Sequence, residues 1–138
     1  MATTLYPKSF TDDVVKSFIT TFFKLSDTPA PSAGVADPYV ESFTPTATLK
    51  MPKLPTAQGS EAITETRQKM WANVVSRCHV VEQVYPYSAS EVFLKGTVRY
   101  GLKDGSFASV DWSSNMVFDE DALSNGKALL KYYQVYLF

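Results

Sequence analysis

The sequence contains a single cysteine and a single histidine among its 138 residues. One cysteine, Cys78, excludes an internal disulfide. Cys78 and His79 together are too few for a zinc site, which takes about four ligands. Neighbouring side chains on a strand point to opposite faces, so these two do not form a catalytic dyad either. The sequence therefore predicts no metal site and, by default, a reducing cytoplasmic location.

An excess of charge of either sign is also lacking. Thirteen basic and fourteen acidic residues give a net charge of -1 without a basic run, so no nucleic-acid partner is expected. The apolar runs fall far short of the roughly 20 residues that span a bilayer. The segment "MATTLYPKSF" has no apolar stretch typical of a signal peptide. Neither a membrane partner nor secretion is predicted.

Common nucleotide and hydrolase motifs are absent as well. The chain has no GxSxG elbow, no P-loop and no GxGxxG, so we expect a function that needs no cofactor. Aromatic residues, in contrast, make up 14% of the chain, which suits a large core or the wall of a cavity. The length fits a single domain over residues 1–138.

Three helix patterns occupy the first half of the chain. Thr11 is predicted to cap a first helix over residues 11–26. Asp37 followed by Pro38 predicts a second, short helix in "DPYVESF". Ser60 is predicted to cap a third helix, whose buried stripe comprises Ile63, Arg67, Met70 and Val74.

Strand patterns dominate the rest of the chain. A first strand is predicted at "TATLKM", between the second and third helices. From Cys78 onward, four segments are rich in strand-forming residues and separated by turn residues: "CHVVEQVYPY", "EVFLKGTVRYGL", "FASVDWSSNMVF" and "KALLKYYQVYLF". Three helices followed by a mostly antiparallel sheet predict the α+β class.

The turn at Asp104-Gly105 determines which side chains share a face of the sheet. A two-residue turn places Leu102 opposite Phe107. One face then carries Lys95, Thr97 and Arg99 with Val110, Trp112, Ser114 and Met116, whereas Asp111 lies on the other. Apolar surface interrupted by a few polar groups is typical of a pocket wall. A three-residue loop or a bulge would exchange the faces and give the inward position to Asp111.

The order and spacing of these segments resemble the nuclear transport factor 2-like superfamily, and within it the SnoaL-like proteins. The resemblance rests on "DPYVESFTPTATLKMP", "GSEAI", "GTVRYGLKDG", "VDW" and the closing "YYQVYLF", which span nearly the whole chain. It implies a strongly curved sheet that the three helices close into a cone around a ligand cavity. It also implies a homodimer that pairs through the sheet.

Ketosteroid isomerases share this fold, but the chain departs from their catalytic pattern. Their general base lies just before a proline, where this chain has Met51 before Pro52. Ser114 stands where they carry a protonated acid, and the predicted first helix has no tyrosine. Ketosteroid-isomerase chemistry is therefore disfavoured. The same overlay puts Lys95, Thr97, Arg99, Trp112, Ser114 and Met116 on the cavity side.

His79 and Arg99 are the predicted catalytic residues. Some dehydratases of this fold carry a catalytic histidine at the position of His79, and a histidine transfers protons near neutral pH. Arg99 in a closed cavity would hold a carbonyl or enolate oxygen. The alternatives are a histidine hydrogen-bonded at a strand end, and an arginine that pairs with a carboxylate or extends into water. The predicted substrate contacts, which core packing would also explain, are Tyr39, Trp71, Lys95, Trp112, Ser114 and Tyr133.

These features and the resemblance predict an isomerase, cyclase or dehydratase that acts without a cofactor. Its substrate would be a small apolar metabolite, polyketide- or terpenoid-like, bound in an aromatic cavity. A non-catalytic binder of a small molecule and a dimerisation module are the alternatives. A cavity in which Arg99 and His79 do not converge favours the binder, and a closed core without a cavity favours the dimerisation module.

Overall fold

The computed structural model describes residues 3–138 as four helices and a six-stranded sheet, which confirms the α+β class. The helices are α1 (Asp13–Ser26), α2 (Pro38–Glu41), α3 (Ser60–Met70) and α4 (Glu120–Ser124). The strands are β1 (Phe43–Lys50), β2 (Ala57–Gln58), β3 (Val74–Ser88), β4 (Glu91–Leu102), β5 (Phe107–Phe118) and β6 (Leu130–Leu137). The sequence reading missed the short helix α4. No helix in this part of the chain has the length and apolarity to cross a bilayer.

The strands lie in the order β2-β1-β6-β5-β4-β3. All neighbours are antiparallel except β1 and β6, which run parallel. The sheet is open, because β2 and β3 are its edges and do not pair with each other. The closed cone implied by the resemblance is therefore not confirmed.

The helix starts follow capping chemistry, with two differences from the prediction. Asp12, rather than Thr11, caps α1 by accepting the Val15 N–H at 3.1 Å. Ser60 is the first residue of α3, and the residue before it, Gly59, makes no side-chain cap. Asp37 caps α2 as predicted, with Pro38 as the first helical residue.

The turn between β4 and β5 corrects the predicted register. Its loop has three residues, because the Leu102 N–H donates to the Ser106 carbonyl at 2.9 Å and the Gly105 N–H donates to the Leu102 carbonyl at 3.0 Å. Gly105 adopts a φ of 87°, which suits a three-residue hairpin with glycine in the left-handed region. Phe107 therefore pairs with Gly101, one residue away from the predicted partner Leu102.

The shifted register separates the charged residues from the interior. Trp112 pairs with Gly96, and Ser114 pairs with Leu94, all on the inner face. Lys95 and Arg99 lie exposed on the outer face, so the prediction that they face the cavity is wrong. The Arg99 guanidinium covers the Phe107 ring at 4.3 Å from its centroid. Asp111 is exposed on that outer face as well, so the odd loop does not turn it inward.

A buried ion pair joins the first three helices on the inner side of the sheet. The Arg67 side chain, 1% exposed, donates from Nε to Asp37 Oδ2 at 2.5 Å. Its Nη2 donates to the carbonyl of Leu25 in the last turn of α1 at 3.2 Å, and to the carbonyl of Thr28 just after α1 at 2.8 Å. The guanidinium also stacks on Tyr39, 4.5 Å from the ring centroid. Arg67 thereby fixes the position of Tyr39.

Candidate functional site

A small cavity lies against the inner face of the sheet, where the first three helices meet β3, β4, β5 and β6. Its volume of about 30 Å³ is room for about two water molecules. Tyrosine and tryptophan side chains line much of it, namely Tyr39, Tyr100, Trp112 and Tyr133. The other lining residues are Ser26, Met51, Met70, Arg77, His79, Val135 and Leu137.

An open groove of about 300 Å³ adjoins this cavity at the ends of β1 and β6. Met51, Val135 and Leu137 line both spaces. Leu137 is 40% exposed and lies in β6, where it pairs with Trp112. A ligand larger than water would therefore have to occupy the groove as well as the cavity.

His79 stands in the cavity wall with its ring held by Asp27. His79 Nδ1 lies 2.6 Å from Asp27 Oδ1. An ionised carboxylate only accepts hydrogen bonds, so Nδ1 carries the hydrogen. This leaves Nε2 as the free lone pair of the neutral ring, and none of the hydrogen bonds within residues 3–138 engages it. The arrangement is that of an oriented proton acceptor.

Asp27 lies at a position that is electrostatically unfavourable for a carboxylate. It is the C-cap of α1, where the negative end of the helix dipole opposes a carboxylate. The His79 backbone N–H compensates by donating to both carboxylate oxygens, at 3.0 and 3.2 Å. That N–H is available because β3 is an edge strand of the sheet. The fold thus places an acid against the only histidine in the sequence.

Two buried tyrosines line the same cavity. Tyr39 is 1% and Tyr133 is 4% exposed. Burial raises the pKa of the Tyr39 and Tyr133 phenols well above the usual value, because the charged form would lose its hydration. Both are therefore neutral near pH 7 and able to donate a hydrogen bond.

Arg77 brings a positive charge to the cavity. Its guanidinium lies between two aromatic rings, 4.8 Å from the Trp71 centroid and 5.1 Å from the Tyr100 centroid. Nη2 donates to the Met70 carbonyl at 2.9 Å, whereas the buried Nη1 has no partner. Burial lowers the pKa of Arg77, which nevertheless stays charged.

The structure brings together only part of the predicted site. His79, Tyr39, Trp112 and Tyr133 line one cavity. Ser114 is fully buried on the inner face but does not line the cavity, and Trp71 stands behind Arg77. Lys95 and Arg99 lie on the opposite face of the sheet. Whether the inward residues contact a substrate stays a prediction.

Among the residues that sequence reasoning missed, two are charged, Arg77 and Asp27. Arg77 lies two positions before His79 on β3, and side chains two apart on a strand share a face, so the signal was present. Asp27 carries no such signal, since it is 52 positions from His79 and lies at the end of a helix. Among the described residues, no three His, Cys, Asp or Glu side chains gather as metal ligands would.

The chain was compared with known proteins and structures. No protein-family model and no curated protein matches it. Nuclear transport factor 2 of Cryptosporidium parvum is 18% identical with a TM-score of 0.70, over 99% of this chain and 100% of that one. A protein from Catenulispora acidiphila with a ketosteroid isomerase-like fold, solved with trimethylamine, is 13% identical with a TM-score of 0.69, over 86% and 83%.

A third similar structure comes from Jannaschia sp. CCS1. It is assigned as a SnoaL-like polyketide cyclase and is 11% identical with a TM-score of 0.68, over 95% of this chain and 90% of that one. Identities this low establish the fold and carry no activity with them. The chain has the fold of the nuclear transport factor 2-like proteins.

Proposed function

We propose that the chain is an isomerase, cyclase or dehydratase that moves a proton on a small, largely apolar metabolite, polyketide- or terpenoid-like, without a cofactor. One observation carries this proposal: Asp27 holds His79 at 2.6 Å in the wall of an aromatic cavity. A histidine that only packed in the core would not need a second, ionised residue to fix its ring.

The chemistry follows from the free Nε2 of His79. Nε2 accepts a proton from a carbon next to a substrate carbonyl, and the bonding electrons form an enolate. The imidazolium that results is stabilised by Asp27. Return of the proton to another carbon completes an isomerisation. Loss of a β-hydroxyl group, which leaves as water with that proton, completes a dehydration.

The tyrosines fit the other half of this reaction. Tyr39 and Tyr133 present neutral hydroxyl groups to the same cavity as His79. A hydrogen bond from either one to the carbonyl oxygen would strengthen as negative charge develops on that oxygen. Their aromatic packing supports this role. The Tyr39 ring stacks on the Phe22 ring with 5.0 Å between the centroids, and the Tyr133 ring meets Phe22 edge-on with 5.1 Å between the centroids.

Exchange of substrate hydrogens provides a test that needs no known product. Enolisable cyclic ketones, for example 2-tetralone, are incubated in D2O, and loss of the α-hydrogen signal is followed by NMR against buffer alone. We expect H79Q to lower the exchange rate by about 10²- to 10⁴-fold and D27N by about 10- to 100-fold. R99Q, which changes an exposed residue on the other face of the sheet, is the matched control. An H79Q variant that exchanges the α-hydrogen at the wild-type rate would refute the mechanism.

A non-catalytic binder of a small molecule is the second candidate. It is favoured by the fact that Arg99 and His79 do not converge, since Arg99 lies outside the cavity. This function is selected if the wild-type chain binds the cyclic ketones saturably but exchanges none of their α-hydrogens faster than buffer alone.

We also propose that two chains pair through the outer face of the sheet. Phe93 is 40% and Tyr136 is 38% exposed on this face, with ring centroids 6.4 Å apart. Lys95, Arg99 and Asp111 surround them with charges of both signs. A two-fold axis sets a surface against a copy of itself, so such a face can match its own charges.

Sedimentation equilibrium tests the dimer. We expect twice the chain mass of 15.3 kDa for the wild type and the monomer mass for F93E. V35E is the control, because Val35 is 59% exposed in the loop after α1 and does not belong to a strand of the sheet. A monomeric wild-type protein at all concentrations rules out the pairing.

A further inference from the structure

We infer that the cavity selects ligands that carry a carboxylate on an apolar body, and that Arg77 binds this carboxylate. The inference names the substrate class of the proposed active site and in that respect rests on the proposed function. It depends on four properties of Arg77: its aromatic clamp, its unpartnered nitrogen, its unpaired charge and its place in the cavity wall.

The aromatic clamp fixes the guanidinium before any ligand arrives. Trp71 and Tyr100 lie at 4.8 and 5.1 Å from the guanidinium carbon, and the Met70 carbonyl accepts the Nη2 hydrogen at 2.9 Å. A planar guanidinium that is already oriented loses little conformational freedom when it binds a planar acid. Stacking alone, however, would not require the group to border a cavity.

The unpartnered nitrogen indicates a missing acceptor. Arg77 Nη1 is buried and no described residue offers it an acceptor in hydrogen-bond geometry, although the Tyr100 hydroxyl lies close to the guanidinium. A buried donor without a partner has lost its hydrogen bonds to water and gained none in return, so it destabilises the folded chain. Because Arg77 lines the cavity, an acceptor placed there would remove this cost. The group therefore has more to gain from a ligand than from its protein neighbours.

The charge of Arg77 is also unpaired. Within residues 3–138 the salt bridges are Arg67 with Asp37 and His79 with Asp27, so no carboxylate lies within 4.0 Å of Arg77. The negative charge of Asp27 acts on Arg77 through space, but the Asp27 carboxylate is already hydrogen-bonded to His79. Arg67 offers an informative contrast: it too leaves Nη1 unpartnered, but its charge is paired with Asp37.

An acid satisfies both needs, whereas a neutral carbonyl satisfies only one. A carboxylate supplies the acceptor and the opposite charge, and a charge-assisted hydrogen bond is about twice as strong as a neutral one. The remaining wall of the cavity is apolar or aromatic at Met51, Trp112, Val135 and Leu137. These residues fit the carbon body of the ligand.

The test compares an acid with its neutral isostere. Benzoate and benzamide are titrated into the wild type, R77Q and R99Q, with binding followed by calorimetry and by the fluorescence of the two tryptophans, one of which contacts Arg77 and the other lines the cavity. We expect the wild type and R99Q to bind benzoate about 10- to 100-fold more tightly than benzamide. R77Q should lose the preference, because its affinity for benzoate should fall far more than its affinity for benzamide.

Several results would overturn the inference. The first is a wild-type protein that binds benzoate no more tightly than benzamide, or binds neither. The second is an R77Q protein that keeps the preference for benzoate. The third is an R99Q protein that loses this preference as R77Q does. If R77Q does not show a cooperative thermal transition, R77K replaces it, and benzoate affinity should then fall more than benzamide affinity. An unchanged preference in R77K would contradict the role of the clamped guanidinium.

The measurement is independent of turnover. H79Q removes the proposed proton acceptor but keeps Arg77, so it should retain the preference for benzoate. A protein that exchanges ketone hydrogens but shows no acid preference would refute only this inference. A protein that prefers benzoate but catalyses no exchange would refute only the proposed catalysis.

Discussion

The Asp27 carboxylate holds His79 at two points, through the ring Nδ1 at 2.6 Å and through the backbone N–H at 3.0 Å. The backbone contact ties the end of α1 to the edge of the sheet, and the ring contact determines which nitrogen faces the cavity. A single acid therefore couples the geometry of the fold to the state of the side chain that we propose as the proton acceptor.

The tautomer of His79 provides a direct check of this arrangement. We expect the neutral ring of the wild type to carry its hydrogen on Nδ1, and D27N to show a mixture of both tautomers, because an amide can donate to the ring as well as accept from it. The chain has one histidine, so the ¹⁵N chemical shifts of its ring are unambiguous. D111N, at an exposed acid, should match the wild type. A hydrogen on Nε2 in the wild type would contradict the arrangement.

The buried tyrosines predict a loss of stability at alkaline pH. Burial raises the pKa of Tyr133 in the folded chain, so above about pH 10 the unfolded chain releases this proton and the folded chain keeps it. Stability is complete below pH 10 and falls above it, by up to about 1.4 kcal/mol per pH unit for each such tyrosine.

Urea unfolding between pH 9 and pH 11 measures this loss. Y133F should reduce the slope of unfolding free energy against pH by up to about 1.4 kcal/mol per unit. F22L serves as control, because it changes a ring that contacts Tyr133 and should lower stability equally at all these pH values. Equal slopes in wild type and Y133F would show that Tyr133 ionises in the folded chain.

Local chemistry predicted the elements well. The bounds of β4 and β5 follow the strand-forming residues as predicted, and Asp37-Pro38 begins α2. These features depend on residues close together in sequence. The bounds of β3 were less well predicted, since it begins at Val74 and not at Cys78, which removes Val74 from the stripe of α3.

The faces of the hairpin were harder to predict because they depend on a single residue in a turn. Asp104-Gly105 suits a two-residue and a three-residue loop equally, and the difference moves Arg99 from one face to the other relative to Trp112. The Asp27–His79 contact was beyond reach for another reason. It joins two residues that only the packing of α1 against β3 brings together.

Gly96 allows the backbones of β3 and β4 to approach closely beside the β3 bulge. A Cβ at this position would lie 1.8 Å from the Val80 carbonyl oxygen, where β3 has its bulge between Val81 and Gln83. Because the clash is with backbone, we expect G96A to cost about 3 kcal/mol or more in unfolding free energy. G126A meets no atom within 4 Å and should cost only about 1 kcal/mol, from its positive φ. Equal losses by chemical denaturation would show that the sheet can relax at Gly96.

The Arg67–Asp37 pair yields a prediction about charge rather than packing. Loss of one partner leaves the other as an unpaired buried charge, so R67M should cost about 3 to 5 kcal/mol of unfolding free energy. D37N removes the charge of Asp37 but keeps an oxygen that can cap α2. The double variant R67M/D37N should therefore be more stable than R67M alone, although it carries one more substitution. If the double variant is the less stable of the two, the unpaired charge of Asp37 is not what destabilises R67M.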